Sequence, residues 1–195
     1  LEEEPVDTLE LETGRLILRP FRGTDLEALY ALLSDPEVNT FLPWFPVQNL
    51  EETRLSYETR LARERYCFAI CLNGDNFTIG YVHMENDGTP DFGYALRKEY
   101  WHRGIVSEAC GAVIERLKQE GIPYITATHD RNNPRSGAVM KRLGMRYCYS
   151  YQEQWQPKNF PVIFRMYQLN LDGREHGIYQ KYWDRSDQRF IETVP

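Results

Sequence analysis

"DFGYALRKEYWHRGIVSEACGAVIERLKQEGIPYITATH", residues 91–129, decides the fold of this chain. A strand-like run (91–97) gives way to a helical one (105–121), in which Val106, Cys110, Val113 and Leu117 recur along one face and Gly121 marks the stop. A second strand follows at 124–129. A strand–helix–strand unit of this kind implies a right-handed crossover between parallel strands, and its first turn is where ligands tend to sit. That turn reads "HRGIVS" (102–107). The first N–H groups of a helix have no intrahelical partner, and the helix dipole adds positive charge there. Gly104 allows close backbone approach, Arg103 adds a charge and Ser107 a hydroxyl, so one reading is an anion cradle. The other is a tight turn with Arg103 simply solvated. The loop matches neither a Walker A sequence nor GxGxxG, which removes support from nucleoside triphosphate and dinucleotide binding.

Working outward, "RLILRPF" (15–21) reads as a strand, and "TDLEALYALLS" (24–34) as a helix with Thr24 and Glu27 in capping-box spacing. "NLEETRLSYETRLARE" (49–64) repeats that signature with Asn49 as cap and Glu52 three residues on. Strands at 66–72, 77–85 and 91–97 are separated by turns at Asn73-Gly74 and Asp87-Gly88, which implies an antiparallel meander. "NPRSGAVMKRLG" (133–144) has Asn at the cap, Pro at the first helical position and Gly past the end. Runs at 145–155 and 161–171 form a closing hairpin with its loop near Pro157. The order β-α-α-β-β-β-α-β-α-β-β describes an α/β domain (α+β by some schemes) with a mixed sheet, spanning 14–171. An acidic segment (1–13) precedes it and an aromatic, charged extension (172–195) follows.

The 195 residues suit one domain, and 42% hydrophobic with 27% charged residues is globular composition. A net charge of −6 argues against nucleic-acid partners and suits a cationic acceptor. With no apolar run of about 20 residues and an acidic start, the expected setting is the cytoplasm, away from membrane. The four cysteines lack a CxxC pair and read as reduced core thiols, and the four histidines lack ligand spacing, so no metal is expected.

"FGYALRKEYWHRGIVSEA" resembles the acetyl-CoA pyrophosphate loop of the GCN5-related N-acetyltransferases (GNAT), in the RimJ/RimL-like branch of ribosomal-protein N-terminal acetyltransferases. "ETGRLILRPF", "FLPWFP" and "HDRNNPRSGAVMKRLGM" resemble the opening, acceptor loop and second cofactor motif of that branch. The resemblance implies a mostly antiparallel sheet with a splayed central strand pair and flanking helices. It implies acetyl-CoA held by Leu96 and Arg97 through their main chains, by His102, Arg103, Gly104, Ile105, Val106 and Ser107, and by Asn133. Two residues depart from the family pattern: His102 stands where Gly is common, and Val106, where Gly or Ala is usual, is expected to crowd the pyrophosphate.

The same resemblance puts Asn133 and Ser136 in the catalytic site, with Ser136 as general acid, because the family's proton-donating tyrosine is here Met140. Asn133 also reads as an ordinary helix cap, and Ser136 as a first-turn residue. Trp44 and Phe45 would wall the amine slot, or plug the sheet; Asp91 and Glu153, with Glu85, are acceptor-side carboxylates able to relay a proton. The expected reaction is acetyl transfer to a primary amine, first a protein N-terminus, alternatively a polyamine, amino sugar or amino acid. The rival class is a CoA-binding sensor, which Met140 and Val106 favour. In the extension, Ile178, Tyr182 and Trp183 suggest one helical face, with Phe190 later. Packing on the domain is its default; covering the cleft or forming a homodimer are the alternatives.

Overall fold

The computed structural model of the protein describes residues 10–64, 66–85 and 89–194. Nine of the acidic N-terminal residues and the Asp87-Gly88 turn lie outside these ranges. Five strands form one sheet in the order β1-β2-β3-β4-β5: Leu11–Glu12, Leu16–Arg19, Tyr66–Leu72, Thr78–Met84 and Phe92–Leu96. A second sheet has the order β6-β8-β7-β9, from Tyr124–Asp130, Phe160–Asn170, Arg146–Trp155 and Arg189–Phe190. Every strand pairing within the two sheets is antiparallel.

The expected parallel crossover is present in a reduced form. β5 and β6 meet through one parallel bridge, Asp91 with Thr126, where Thr126 N–H donates to Pro90 O at 2.9 Å. Beyond it the two strands part, so the sheet is split at its centre. This is the splayed pair of the expected fold, with flanking helices α1 (Leu26–Leu33), α2 (Leu50–Thr59), α3 (Ile105–Gln119) and α4 (Pro134–Arg142).

Local chemistry explains where the elements begin. Asn49 caps α2 by accepting from Glu52 N–H at 2.9 Å, and Asn133 caps α4 by accepting from Ser136 N–H at 3.4 Å, with Pro134 first in the helix. The expected Thr24 cap is replaced. Asp25 accepts from Arg22 N–H at 2.7 Å, so a 3-10 turn over Gly23–Asp25 precedes α1. Asp25 is drawn inward by a two-pronged contact with buried Arg19 (2.8 and 3.0 Å) and by Thr78 Oγ1 at 2.9 Å. Burial opposes its charge, but these partners hold its pKa below the ordinary carboxylate value. β1 has no expected counterpart; two residues carry too little pattern to read.

The main core lies between the sheets and α3–α4, around Phe68, Val82, Cys110, Val113, Leu117, Met140 and Tyr167. Full burial of a side chain such as Leu117 contributes about 1.5–3 kcal/mol. Val106 lies only at the edge of this core, and Ile105, Ala109 and Ile114 complete the buried face. A second cluster joins α1 and α2 to the other face of the first sheet through Leu29, Leu33, Tyr81 and Ala95.

The extension packs on the second sheet. Its helix is short, α5 at Lys181–Arg185, and excludes Ile178, which is half exposed. Tyr182 lies parallel on Tyr151 with centroids 5.0 Å apart, and Trp183 meets Tyr149 edge-on at 5.3 Å. Tyr182 and Trp183, two of the extension's aromatics, are thus engaged on the chain's own sheet. Among the described residues, no helix is long and apolar enough to cross a membrane, and no cluster of metal-ligating side chains occurs.

Candidate active site

β5 faces two environments, and its hydrogen bonds show which groups are free. Arg97 N–H donates to Ile79 O at 2.9 Å, and Glu85 N–H donates to Asp91 O at 2.9 Å. Along an antiparallel pair such bonds alternate. The odd-numbered main-chain groups of β5 therefore point to β4, and those of Tyr94 and Leu96 point into the splay. This corrects the expectation for Arg97, whose N–H is already used inside the sheet. The main-chain N–H of Leu96 faces the splay, and its carbonyl accepts from Trp101 Nε1 at 2.7 Å.

The loop after β5 is strutted from beneath. Arg15 Nη1 donates to Arg103 O at 2.9 Å and its Nε to Glu108 Oε2 at 2.7 Å, while Thr13 Oγ1 donates to Glu108 Oε1 at 2.5 Å. Burial opposes the Glu108 charge, but Thr13 and Arg15 lower its pKa below the ordinary value. His102, Arg103 and Gly104 are exposed. Gly104 takes a left-handed φ of 72°, with only an Arg15 guanidinium nitrogen near where a Cβ would lie, at 3.7 Å. The first bond of α3 runs from Glu108 N–H to Gly104 O at 3.1 Å, so the N–H groups from Gly104 to Ser107 precede it. They form an open, positively polarised turn that fits a pyrophosphate.

Side chains around the turn divide by role. Ile105 is buried in the core, so only its main chain is available. Val106 packs against the same core, which corrects the expected crowding of the turn. Ser107 Oγ receives a long bond from Arg142 Nη1 at 3.5 Å. Arg103 lies over Tyr100 at 5.6 Å and Arg135 over Trp101 at 4.5 Å. His102 adopts φ 60°, a left-handed conformation that side chains rarely take.

Tyr94 bridges the splay. Its hydroxyl lies 2.8 Å from Ser136 Oγ and 3.1 Å from Ser136 O, tying β5 to the first turn of α4. Burial raises the Tyr94 pKa well above the ordinary phenol value, so the hydroxyl keeps its proton. The sequence reading quoted Tyr94 within the motif but gave it no role. Met140 is 1% exposed and lies in the core, away from any proton transfer.

The residues expected on the acceptor side are spread over the opposite face of β4 and β5 and over β7. Trp44 lies over the Arg60 guanidinium, 3.5 Å from ring centroid to Cζ, whereas Phe45 is 62% exposed at the tip of its loop. Trp44 and Phe45 therefore do not form one wall. Asp91 is bonded to Thr126 Oγ1 and Tyr182 OH, so its carboxylate is largely occupied. Glu85 accepts from Thr89 Oγ1 at 3.0 Å. Glu153 lines an open cleft of about 380 Å³ between β7 and the extension, with Tyr151, Gln154, Tyr182 and Arg185. Glu153 keeps an open face to water; crowding by its neighbours, and then the Asp91 carboxylate, raises its pKa. Sequence gave Arg60 and His83 no role and Tyr182 only a place on the extension's helical face, because their neighbours are brought in only by tertiary contacts.

Comparison with known proteins identifies the family and the fold. The family model for an acetyltransferase (GNAT) domain matches residues 15–146. An uncharacterized N-acetyltransferase of Bacillus subtilis, YnaD, is 28% identical over 142 residues, covering 71% of this chain and 83% of its own length. A GNAT-family acetyltransferase from Bacillus anthracis has the same fold, with a TM-score of 0.74 at 24% identity, over 84% of this chain and 99% of that one. So does RimL, described as a ribosomal L7/L12 alpha-N-protein acetyltransferase in complex with coenzyme A. Its TM-score is 0.72 at 20% identity, over 85% of this chain and 100% of that one.

Proposed function

Because this chain belongs to the GNAT acetyltransferase family, we propose that it transfers acetyl from acetyl-CoA to the primary amine of a protein or peptide N-terminus, by direct attack in a ternary complex. The observation that carries the reading is the conjunction of the Gly104 turn with the parted β5 and β6. One is open to a pyrophosphate, and the other leaves the main-chain groups of Tyr94 and Leu96 directed into the gap. Acetyl-CoA supplies the acetyl group as a thioester. Main-chain N–H groups aimed into the splay polarise a carbonyl there without reorganising. Ser136, held by Tyr94, offers a proton at Oγ to the departing sulfur, and the Asn133 cap fixes the turn that carries Ser136. On the acceptor side Glu153 has a raised pKa and an open path to water, which suits a relay that takes the amine proton.

The choice of an N-terminal amine is supported by the RimJ/RimL-like motifs of the sequence and by an open cleft able to admit an extended chain. Calorimetric titration with acetyl-CoA, with ATP and NAD as controls, tests the donor. Thiol release with a panel of peptides and small amines tests the acceptor. Selective acetyl-CoA binding with amine-dependent thiol release is expected, and failure to bind acetyl-CoA would overturn the reading.

A further inference from the structure

Arg60, just past the end of α2, is a cation with no anionic partner among the described residues. Its Nη2 donates to Ser56 Oγ and its guanidinium lies beneath the Trp44 ring, but Nη1 is sealed from solvent with no partner. Among the described residues no carboxylate forms an ion pair with it; burial, countered only by Tyr81, lowers its pKa. Folded proteins rarely leave a guanidinium nitrogen so placed, because desolvating a charge without a partner is costly. Two more buried polar atoms without partners belong to this face: Trp44 Nε1 and His83 Nδ1. The Arg60 charge is felt at His83, whose ring lies over Gly93, where a Cβ would collide with it. Burial, then Arg60, brings the His83 pKa down to about 4, so the ring is neutral and able to donate from one nitrogen.

The same strand faces become acidic a short distance on. Glu85 is two residues beyond His83 on β4, and Asp91 two residues before Gly93 on β5, each a step of about 7 Å. Glu85 and Asp91 thus lie at one end of these strand faces and the Arg60, Trp44 and His83 donors at the other, with the Glu64 carboxylate close to Cys67, the residue paired with His83.

We propose that Arg60, with Trp44 Nε1, binds a carboxylate of the acceptor, so that the acceptor carries an acid group beside its amine. This rests on the acetyltransferase reading and names the substrate class for it. A planar pair of oxygens matches the guanidinium fork. A bulkier anion suits the site less, since the Arg60 guanidinium lies immediately under the Trp44 ring. Phe45, next to Trp44 on the same loop, is exposed, so the acceptor would approach from that side and reach the donors only if the loop shifts. The acid group has two sources, the α-carboxylate of a free amino acid or an acidic side chain near a peptide N-terminus.

The test is calorimetric titration of the CoA-bound protein with matched probes. One series pairs free L-amino acids with their α-carboxamides. The other pairs C-terminally amidated tripeptides containing Asp or Glu with their Asn or Gln counterparts. In one series the acid is expected to bind at least tenfold tighter, and that series identifies the source. Arg60→Met is expected to abolish the preference and Arg60→Lys to retain part of it. Equal binding of acid and neutral partners, binding of neither, or a preference that survives Arg60→Met would overturn the assignment. Thiol release is followed in parallel. Transfer without any carboxylate preference would sink the Arg60 assignment alone. Carboxylate-dependent binding without transfer would uphold Arg60 and count against the acetyltransferase reading.

Discussion

The two faces of β4 and β5 are built on opposite plans. On the α3–α4 side Glu108 pairs with Thr13 and Arg15, Trp101 with Leu96 O and Tyr94 with Ser136, while His129 Nε2, beside Gly137, is buried with no partner among the described residues. On the α1–α2 side Trp44, Arg60 and His83 each bury a polar atom with no partner. The difference teaches how each site would meet its ligand. A turn of main-chain N–H groups can remain open to water until an anion arrives and needs little from side chains. A site of buried side-chain donors is incomplete until its ligand supplies the missing acceptors.

The sharpest way to break this contrast is at Ser136. Ser136→Ala is expected to lower kcat about 100- to 10,000-fold, the range for loss of a general acid, with acetyl-CoA affinity unchanged by calorimetry. An unaltered kcat would leave the α3–α4 side a binding surface only, with water as the acid.

The α1–α2 side is probed by acid. His83 titrates near 6.5 when unfolded and at about 4 in the fold, because burial and then Arg60 disfavour its charged form. Above pH 6.5 both states are neutral there. As pH falls from 6.5 to 4 the unfolded chain takes up the proton first, so stability drops by roughly 3 kcal/mol. Urea unfolding at pH 7, 5.5 and 4 is expected to show this loss, and His83→Phe, which keeps a ring over Gly93, to flatten it. An unchanged slope would place the acid-sensitive group elsewhere.

Gly104→Glu sets a carboxylate and a left-handed side chain in the pyrophosphate turn. It is expected to weaken acetyl-CoA binding about 100-fold, from charge repulsion added to roughly 1–2 kcal/mol of backbone strain. Calorimetry reads this directly, and tight binding by the variant would show that the anion sits elsewhere. His102→Gly is the smallest test and works in the stabilising direction. Relief of its left-handed φ is expected to gain about 1 kcal/mol, or about 2–4 °C in Tm for a chain of this size. A lower Tm would mean that the imidazole is held by contacts worth more than the strain.

How much of this was legible in sequence follows the same division. Asn49, Asn133, Pro134 and Gly121 act on their immediate neighbours, so the elements they bound could be read. The Gly104 turn was legible for the same reason. Arg97 was assigned to the cofactor because position along a strand does not reveal which edge its N–H faces; only the register with Ile79 does. Thr24 lost its capping role to Asp25 because Arg19 and Thr78 draw that carboxylate inward, a tertiary effect. Arg60, Trp44 and His83 come from a helix end, a loop and a strand, and no local pattern marks their convergence. Tyr94 lay in plain view, but its partner is 42 residues away.

The pairing of β9 with β7 has a consequence for solubility. β7 is ten residues long, and β9 pairs with it at Ser150 and Tyr151, while Gln152 N–H donates to Gln188 O at 2.9 Å. Glu192 locks that cover in place through Arg165 at 3.0 Å and Ser150 Oγ at 2.6 Å. A long strand with a bare outer edge is a template for strands of other molecules, and a two-residue edge is a poor one. A protein cut after residue 171 would therefore be expected to self-associate through β7, which makes the extension a guard against aggregation.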